Sequence, residues 1–137
     1  MDQEHDICPN SPFPIGEKNE AYAKFFTGTS YLNMLSTEMV MIGNVTFEPG
    51  CRNFWHIHHK GGQILLVTEG RGWYQEWGQV PRELRAGDVV NIPPEVKHWH
   101  GAAKDSRFTH LAMEVPAEGA VNEWLEPVSD REYDCLI

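Results

Sequence analysis

Short runs of β-prone residues alternate with turn residues between positions 25 and 116. The runs end at clusters such as Glu48-Pro49-Gly50 and Lys60-Gly61-Gly62. Short strands with turn signals roughly every 8–12 residues are typical of a β-sandwich or a closed barrel. The predicted strands are Phe25–Leu35, Glu38–Phe47, Asn53–His58, Gln63–Thr68, Gly72–Trp77, Glu83–Arg85, Val89–Ile92 and Phe108–Val115.

The two ends of the chain have different patterns. Residues 1–24 are polar and interrupted by prolines and a glycine, which predicts an irregular N-terminal arm. Residues 25–117 form the predicted barrel, and residues 118–137 form a C-terminal tail of the same domain. In that tail Ser129 and Glu132 have the spacing of a capping box, which predicts one short helix.

Composition narrows the class of protein. The chain has 137 residues, a formal net charge of −9 and 41% hydrophobic residues, which fits one globular domain. The acidic balance without a Lys/Arg run argues against nucleic acid or an anionic membrane as a partner. No apolar run approaches the roughly 18 residues of a membrane helix, so we expect a cytoplasmic protein. The odd number of cysteines, without a C-x-x-C pair, favours reduced thiols, with Cys51 as a small apolar side chain.

Histidine is the residue that suggests chemistry, because six of the seven lie within residues 56–110. His56 and His58 point to the same side of a strand, so both imidazoles can reach one ion. A double-glycine turn then reverses the chain and brings Gln63 back near His58, and His98 comes from a more distant strand. Three imidazoles and one side-chain oxygen suit a divalent ion such as manganese, iron, cobalt, nickel or zinc.

These residues resemble the two motifs of the cupin superfamily. The first motif has the order Gly, His-x-His, Glu and Gly, which this chain matches with Gly50, His56, His58, Gln63 and Gly70. The second has the order Gly, Pro-x-Gly, His and Asn, and here it reads Gly87, Pro93, Glu95, His98 and Ala102. The resemblance implies an all-β, single-domain cupin fold: a double-stranded β-helix, or jelly-roll barrel, of six to eight strands. It also implies one divalent metal ion bound by His56, His58, Gln63 and His98.

Three motif positions differ from the usual residue. Gln63 stands where most cupins have Glu, so a neutral amide leaves the charge of the ion uncompensated and a coordinated oxygen more polarised. Glu95 replaces the motif glycine, which predicts that the turn before His98 is not of the glycine type. Ala102 replaces the terminal asparagine. Neither of these two changes removes a predicted ligand.

Longer strings, among them Val45-Thr46-Phe47-Glu48-Pro49-Gly50 and Lys97-His98-Trp99-His100-Gly101-Ala102, resemble small manganese-dependent cupins described as hydroxynitrile lyases. The likeness spans roughly residues 25–133, and that group also has Gln at the position of Gln63. It implies manganese as the favoured metal and a lyase acting on a small hydroxyl or carbonyl compound, with cyanohydrin cleavage or synthesis as the specific reaction. A non-haem-metal dioxygenase and a non-catalytic cupin that binds a metal or small ligand are the alternatives.

Two further histidines are candidates for proton transfer, since imidazole titrates near neutral pH. His110 lies on the last barrel strand, on the face that it shares with Glu114, and the family resemblance places it in the pocket. His100 shares the face of His98 if that strand is regular. The alternative for both is a side chain that fills the lumen or orients another group.

The remaining aromatic and histidine residues are assigned to packing or to the surface. His59 points away from His58 and is predicted to lie at the surface. Five aromatic residues are predicted to fill the barrel or a subunit interface: Phe54, Trp55, Trp73, Trp77 and Trp99. Trp73, Gln75 and Trp77 share one face of a strand, and the alternative is that some of them wall an apolar substrate pocket. An exposed N-terminal edge strand needs cover, so a second copy in a homodimer is expected. The other expected partner, a small-molecule substrate, is implied by the resemblance.

Overall fold

The computed structural model describes residues 11–136, and these form twelve β-strands, one α-helix and one 3-10 helix (Ala23–Phe25). In chain order the strands are β1 (Glu17–Lys18), β2 (Phe26–Thr27), β3 (Ser30–Ser36), β4 (Ile42–Phe47), β5 (Arg52–Asn53), β6 (His56–His59), β7 (Gln63–Glu76), β8 (Arg82–Arg85), β9 (Val89–Ile92), β10 (His98–Ala102), β11 (Phe108–Glu114) and β12 (Val121–Trp124). The helix α1 is Asp130–Asp134.

The long strand β7 joins two antiparallel sheets. Its first half pairs with β9 and β11, and β11 continues through β4 and β3 to β1. Its second half pairs with β8 and β10. The other edge of β10 pairs at one end with β5, which continues to β2, and at the other end with β6, which continues to β12. The sheet therefore curls into a jelly-roll barrel, and the predicted all-β fold class is confirmed.

The predicted strand break at Gly70 is wrong. Residues 63–76 form one strand, and Gly70 lies inside it with a φ of +83°. This backbone conformation, which glycine adopts at low cost, bends β7 where it passes from one sheet to the other. The register of β7 with β11 shifts nearby, between Thr109 and His110. The glycine is therefore a bend within a strand, a feature with the same sequence signal as a turn.

We expect Gly70→Ala to destabilise the protein far more than Gly78→Ala. Both glycines have a positive φ, but a Cβ on Gly70 would lie 1.8 Å from the carbonyl oxygen of Arg107, whereas a Cβ on Gly78 meets nothing within 4 Å. The control should cost about 1 kcal/mol for backbone strain, and Gly70→Ala about 3 kcal/mol or more because backbone must also move. Urea denaturation of the two variants measures the difference, and equal losses would contradict the contact.

Two hydrophobic clusters hold the barrel together. The main cluster lies inside the barrel and includes Phe47, Leu65 and Phe108, all fully buried. The second lies under the C-terminal helix, where Trp55, Trp99, Val128 and Tyr133 pack together. The C-terminal segment is thus fixed to the barrel by apolar contact as well as by hydrogen bonds.

The predicted C-terminal helix is confirmed, and its capping box is formed. Ser129 Oγ accepts a hydrogen bond from the backbone N–H of Glu132, and the Glu132 carboxylate accepts one from the backbone N–H of Ser129. The buried Arg52 donates to the backbone oxygen of Val128 and to the Asp130 carboxylate. These contacts tie the start of α1 to strand β5.

The structure describes two of the three cysteines, and both are free thiols. Cys51 is fully buried in the main cluster, where burial raises the pKa of its thiol to about 12. Cys135 is a free, exposed thiol, and Cys8 lies outside the described residues.

Strand β1 covers only Tyr31 and Leu32 of β3, and the pairing of this edge with a second subunit stays a prediction. In the described part of the chain no helix has the length and apolarity needed to span a membrane.

Candidate metal centre

Three histidines meet on two adjacent strands. His56 and His58 lie on the same side of β6, and His98, the first residue of β10, is the direct cross-strand partner of His56. All three side chains are buried, and one ring nitrogen of each lies within 4.8 Å of the others. One ion can therefore contact all three imidazoles.

The second ring nitrogen of each imidazole is held by an oxygen acceptor. The Nδ1 atoms of His56 and His98 donate to the backbone carbonyl oxygen two residues earlier in the chain, at 2.8 and 2.9 Å. The Nδ1 of His58 donates to Asn122 Oδ1 at 2.7 Å. Because these acceptors fix the proton on Nδ1, each Nε2 keeps its lone pair. Among the described residues the Nε2 atoms of His58 and His98 are buried without a hydrogen-bond partner, which fits a bound metal ion.

Burial also keeps His56 and His98 in the form that binds a metal ion. Desolvation lowers the pKa of His56 well below its ordinary value and that of His98 to about 4. Both imidazoles are therefore neutral near pH 7, and a neutral imidazole is the form that binds a metal ion.

Gln63 opens strand β7 directly after the double-glycine turn and lines the same cavity as His56 and His58. Its amide Nε2 donates to Glu114 Oε2 at 2.6 Å. Because a carboxylate only accepts hydrogen bonds, this contact identifies the NH₂ end of the amide and leaves the carbonyl oxygen as the end available to an ion.

A cavity of about 520 Å³ opens beside the histidines. Its polar lining includes His56, His58, Gln63, His100 and His110. Its apolar lining includes Phe26, Leu32, Met34, Met41 and Trp124. This volume and this mixture of polar and apolar side chains are typical of a site for a small organic molecule.

The two candidates for proton transfer lie in this cavity with their ring centroids 4.9 Å apart. Phe47 stacks on His100 and meets His110 edge-on. Asn53 Nδ2 lies 3.3 Å from both ring nitrogens of His100. In contrast, neither ring nitrogen of the fully buried His110 has a partner among the described residues. Desolvation lowers the pKa of His110 to about 3, so the ring is neutral and free to contact a ligand.

Two residues of this site, Asn122 and Trp124, were not predicted from the sequence. They lie on β12, in the predicted C-terminal tail. Besides the bond from Asn122 to His58, the Trp124 ring stacks on His56 at a centroid distance of 4.5 Å. Both side chains face the cavity, as their spacing of two requires. The alternation of these two residues between Gly119 and Pro127 is the signal that could have found the strand.

The prediction that the turn before His98 is not of the glycine type is wrong. Glu95 in this turn has a φ of +70°, a backbone conformation that normally favours glycine. Its side chain accepts hydrogen bonds from the backbone N–H of Lys60 at 2.9 Å and from His59 at 2.6 Å. These contacts offset the unfavourable backbone conformation. His59, about one-third exposed, bridges Glu95 to Glu123 and stays outside the histidine cluster.

Trp55, Trp73, Trp77 and Trp99 do not line the cavity. Trp55 and Trp99 are buried in the second hydrophobic cluster, with Trp73 packed against it. Trp77 is more than half exposed, and the Lys97 ammonium lies over its ring. Trp73 and Trp77 therefore do not wall this cavity, and its aromatic lining includes Phe26 and Trp124 instead.

A curled β-barrel with clustered histidines on neighbouring strands defines the class of protein. Residues 43–113 match the family model described as the cupin domain, and the chain belongs to this family. The predicted membership of the cupin superfamily is confirmed.

Particular relatives are similar over most of the chain. The chain is 44% identical over 115 residues to the (R)-mandelonitrile lyase of Granulicella tundricola, covering 81% of this chain and 87% of that protein. The crystal structure of a cupin-like protein from Thermotoga maritima matches with a TM-score of 0.83 and 44% identity, over 90% of this chain and 94% of that one. A cupin 2 conserved barrel domain protein from Rhodopseudomonas palustris shares the fold, with a TM-score of 0.70 and 15% identity over 87% of this chain and 83% of that one.

Proposed function

We propose that the protein is a metal-dependent lyase that cleaves or forms a small cyanohydrin. The observation that carries the proposal is the group of three histidines with free Nε2 lone pairs beside an organic-sized cavity. The similarity to a protein named (R)-mandelonitrile lyase supports the choice of reaction.

Four residues would hold the ion: His56, His58 and His98 through Nε2, and Gln63 through its carbonyl oxygen. A divalent ion there, with manganese favoured, would supply a Lewis acid that acidifies a hydroxyl group or polarises a carbonyl oxygen. The protein contributes the orientation of each ligand, because Nδ1 of every imidazole is already engaged.

His110 is the proposed base and acid. In the cleavage direction its ring takes the hydroxyl proton, the carbon–cyanide bond breaks to leave a carbonyl compound, and the proton passes to the released cyanide. The low pKa keeps His110 in the accepting form before reaction. An anion that forms beside the ring would raise this pKa, because opposite charge favours imidazolium. His100, whose ring is held by Asn53, is the second candidate for this role.

The apolar side chains that line the cavity would hold the organic part of the substrate. Phe26, Leu32 and Trp124 are among them. Apolar contacts together with the polar groups would orient a compound with one hydroxyl-bearing carbon and one apolar substituent. The same apolar side chains would exclude water from the proton-transfer residues.

Elemental analysis of untreated protein, paired with a mandelonitrile cleavage assay, tests the proposal. We expect about one divalent ion per chain, loss of cleavage after treatment with a chelator, and recovery on adding Mn²⁺. Stripped protein that cleaves mandelonitrile as fast as untreated protein would contradict metal dependence. Oxygen uptake by iron-loaded protein would instead favour the dioxygenase alternative, since the lyase reaction uses no oxygen.

A further inference from the structure

The four proposed ligands of the metal site carry no negative charge. Three neutral imidazoles and one amide would surround a divalent ion without neutralising any of its charge. Glu114 supplies the only carboxyl group among the described residues that line the cavity, and this lining contains no aspartate, lysine or arginine. This carboxylate lies one hydrogen bond away from the proposed ligand Gln63.

The sheet fixes the two side chains beside each other. Gln63 and Glu114 are direct cross-strand partners, at the first residue of β7 and the last residue of β11. The backbone N–H of Glu114 also donates to the carbonyl oxygen of Met41, which holds this end of β11 in place. Gln63 is 9% exposed and Glu114 is half-buried, so the contact of 2.6 Å is partly shielded from water.

An amide needs such a partner in order to bind a metal ion. Its oxygen has lone pairs for an ion, whereas its NH₂ group only donates hydrogen bonds. With either end free to face the cavity, part of the molecules would present the NH₂ group. A carboxylate beside the amide removes this ambiguity, because it accepts only from NH₂. The bond to a charged acceptor also polarises the amide and makes its oxygen a better ligand.

We infer that Glu114 is a positioning residue of the metal site, which orients the Gln63 amide for binding through its oxygen and places one negative charge just outside the ligand shell. This inference rests on the proposed metal site. The chain thereby keeps the carboxylate that most cupin motifs have at the ligand position, moved outward by one amide group. The ion retains its Lewis acidity, while the site retains a charge that favours binding a cation.

The test is Mn²⁺ binding by the whole protein, followed through the EPR signal of free Mn²⁺ and so independent of any turnover. We expect Glu114→Gln to weaken binding by about 10-fold or more, the effect typical of losing a partner of a metal ligand. The matched control is Glu118→Gln, which removes the same charge from an exposed residue away from the cavity and should bind Mn²⁺ as the wild type does.

An exchange variant separates positioning from general damage. Gln63→Glu combined with Glu114→Gln keeps a carboxylate–amide pair with its two members exchanged, so the hydrogen bond and the charge both remain. We expect it to restore Mn²⁺ affinity to within about 3-fold of the wild type, with metal-free melting temperatures that agree for all variants. Unchanged affinity in Glu114→Gln, or a loss that the exchange does not restore, would overturn the inference. Wild-type protein that binds no Mn²⁺ would overturn the metal site as well, whereas binding without mandelonitrile cleavage would remove only the proposed reaction.

Discussion

Replacing His56 and His58 together by alanine is expected to remove the bound metal ion and, with it, all mandelonitrile cleavage above background. The double variant leaves His98 and the neutral amide of Gln63, and two ligands do not hold a first-row divalent ion against dilution. Both histidines have their Nδ1 atoms engaged and their rings beside His98, so the loss should be complete rather than partial. Elemental analysis of the purified variant measures it.

His59→Ala provides the matched control for this experiment. His59 is on the same strand, next to His58, but it contacts Glu95 and Glu123 and is not part of the cluster. The control should retain about one ion per chain. If the double variant retained the same metal content as His59→Ala, the ion would be bound elsewhere and the proposed centre would be wrong. Circular dichroism of both variants checks that the barrel is folded.

His110→Phe is expected to lower the rate of mandelonitrile cleavage by about 100- to 10,000-fold, the usual contribution of a general acid or base. Phenylalanine preserves the aromatic contacts that His110 makes with Phe47 and Phe108, but it has no nitrogen to take a proton. Because His110 is not in the histidine cluster, metal content should stay at the wild-type level. Steady-state kinetics of metal-loaded protein give the rate.

The packing alternative for His110 makes a different prediction. If the ring only fills the barrel, His110→Phe should be as active and at least as stable as the wild type, because a buried imidazole without hydrogen bonds is replaced by a hydrocarbon. His110→Ala would then be the damaging change, through the cavity that it leaves. Activity in His110→Phe within about 3-fold of the wild type would therefore assign proton transfer to another group, with His100 next in order.

Local sequence signals predicted the features that depend on neighbouring residues. The spacing of His56 and His58 places both on one side of a strand wherever that strand lies in the sheet. The capping box of α1 likewise depends on only Ser129 and Glu132. Turn residues marked most strand ends, but at Gly70 the same signal marked a bend inside β7, since a positive φ serves both purposes.

The features that the sequence did not predict depend on contacts between residues that are far apart in the chain. Asn122 reaches His58 across 64 positions, and Glu114 reaches Gln63 across 51. The conformation of Glu95 likewise depends on its bonds to Lys60 and His59, so it could not be read from the turn alone.

The sequence by itself determined an all-β chain, its cupin motifs and the histidines that the motif spacing identifies as candidate metal ligands. Only the tertiary structure decided which nitrogen of each imidazole is free and which end of the Gln63 amide faces Glu114. It also decided that β12 pairs with β6 and places Trp124 on His56. The physical reason is that strand periodicity fixes the side on which a residue lies, whereas hydrogen-bond partners are fixed by the register between strands. That register is a property of the whole folded sheet.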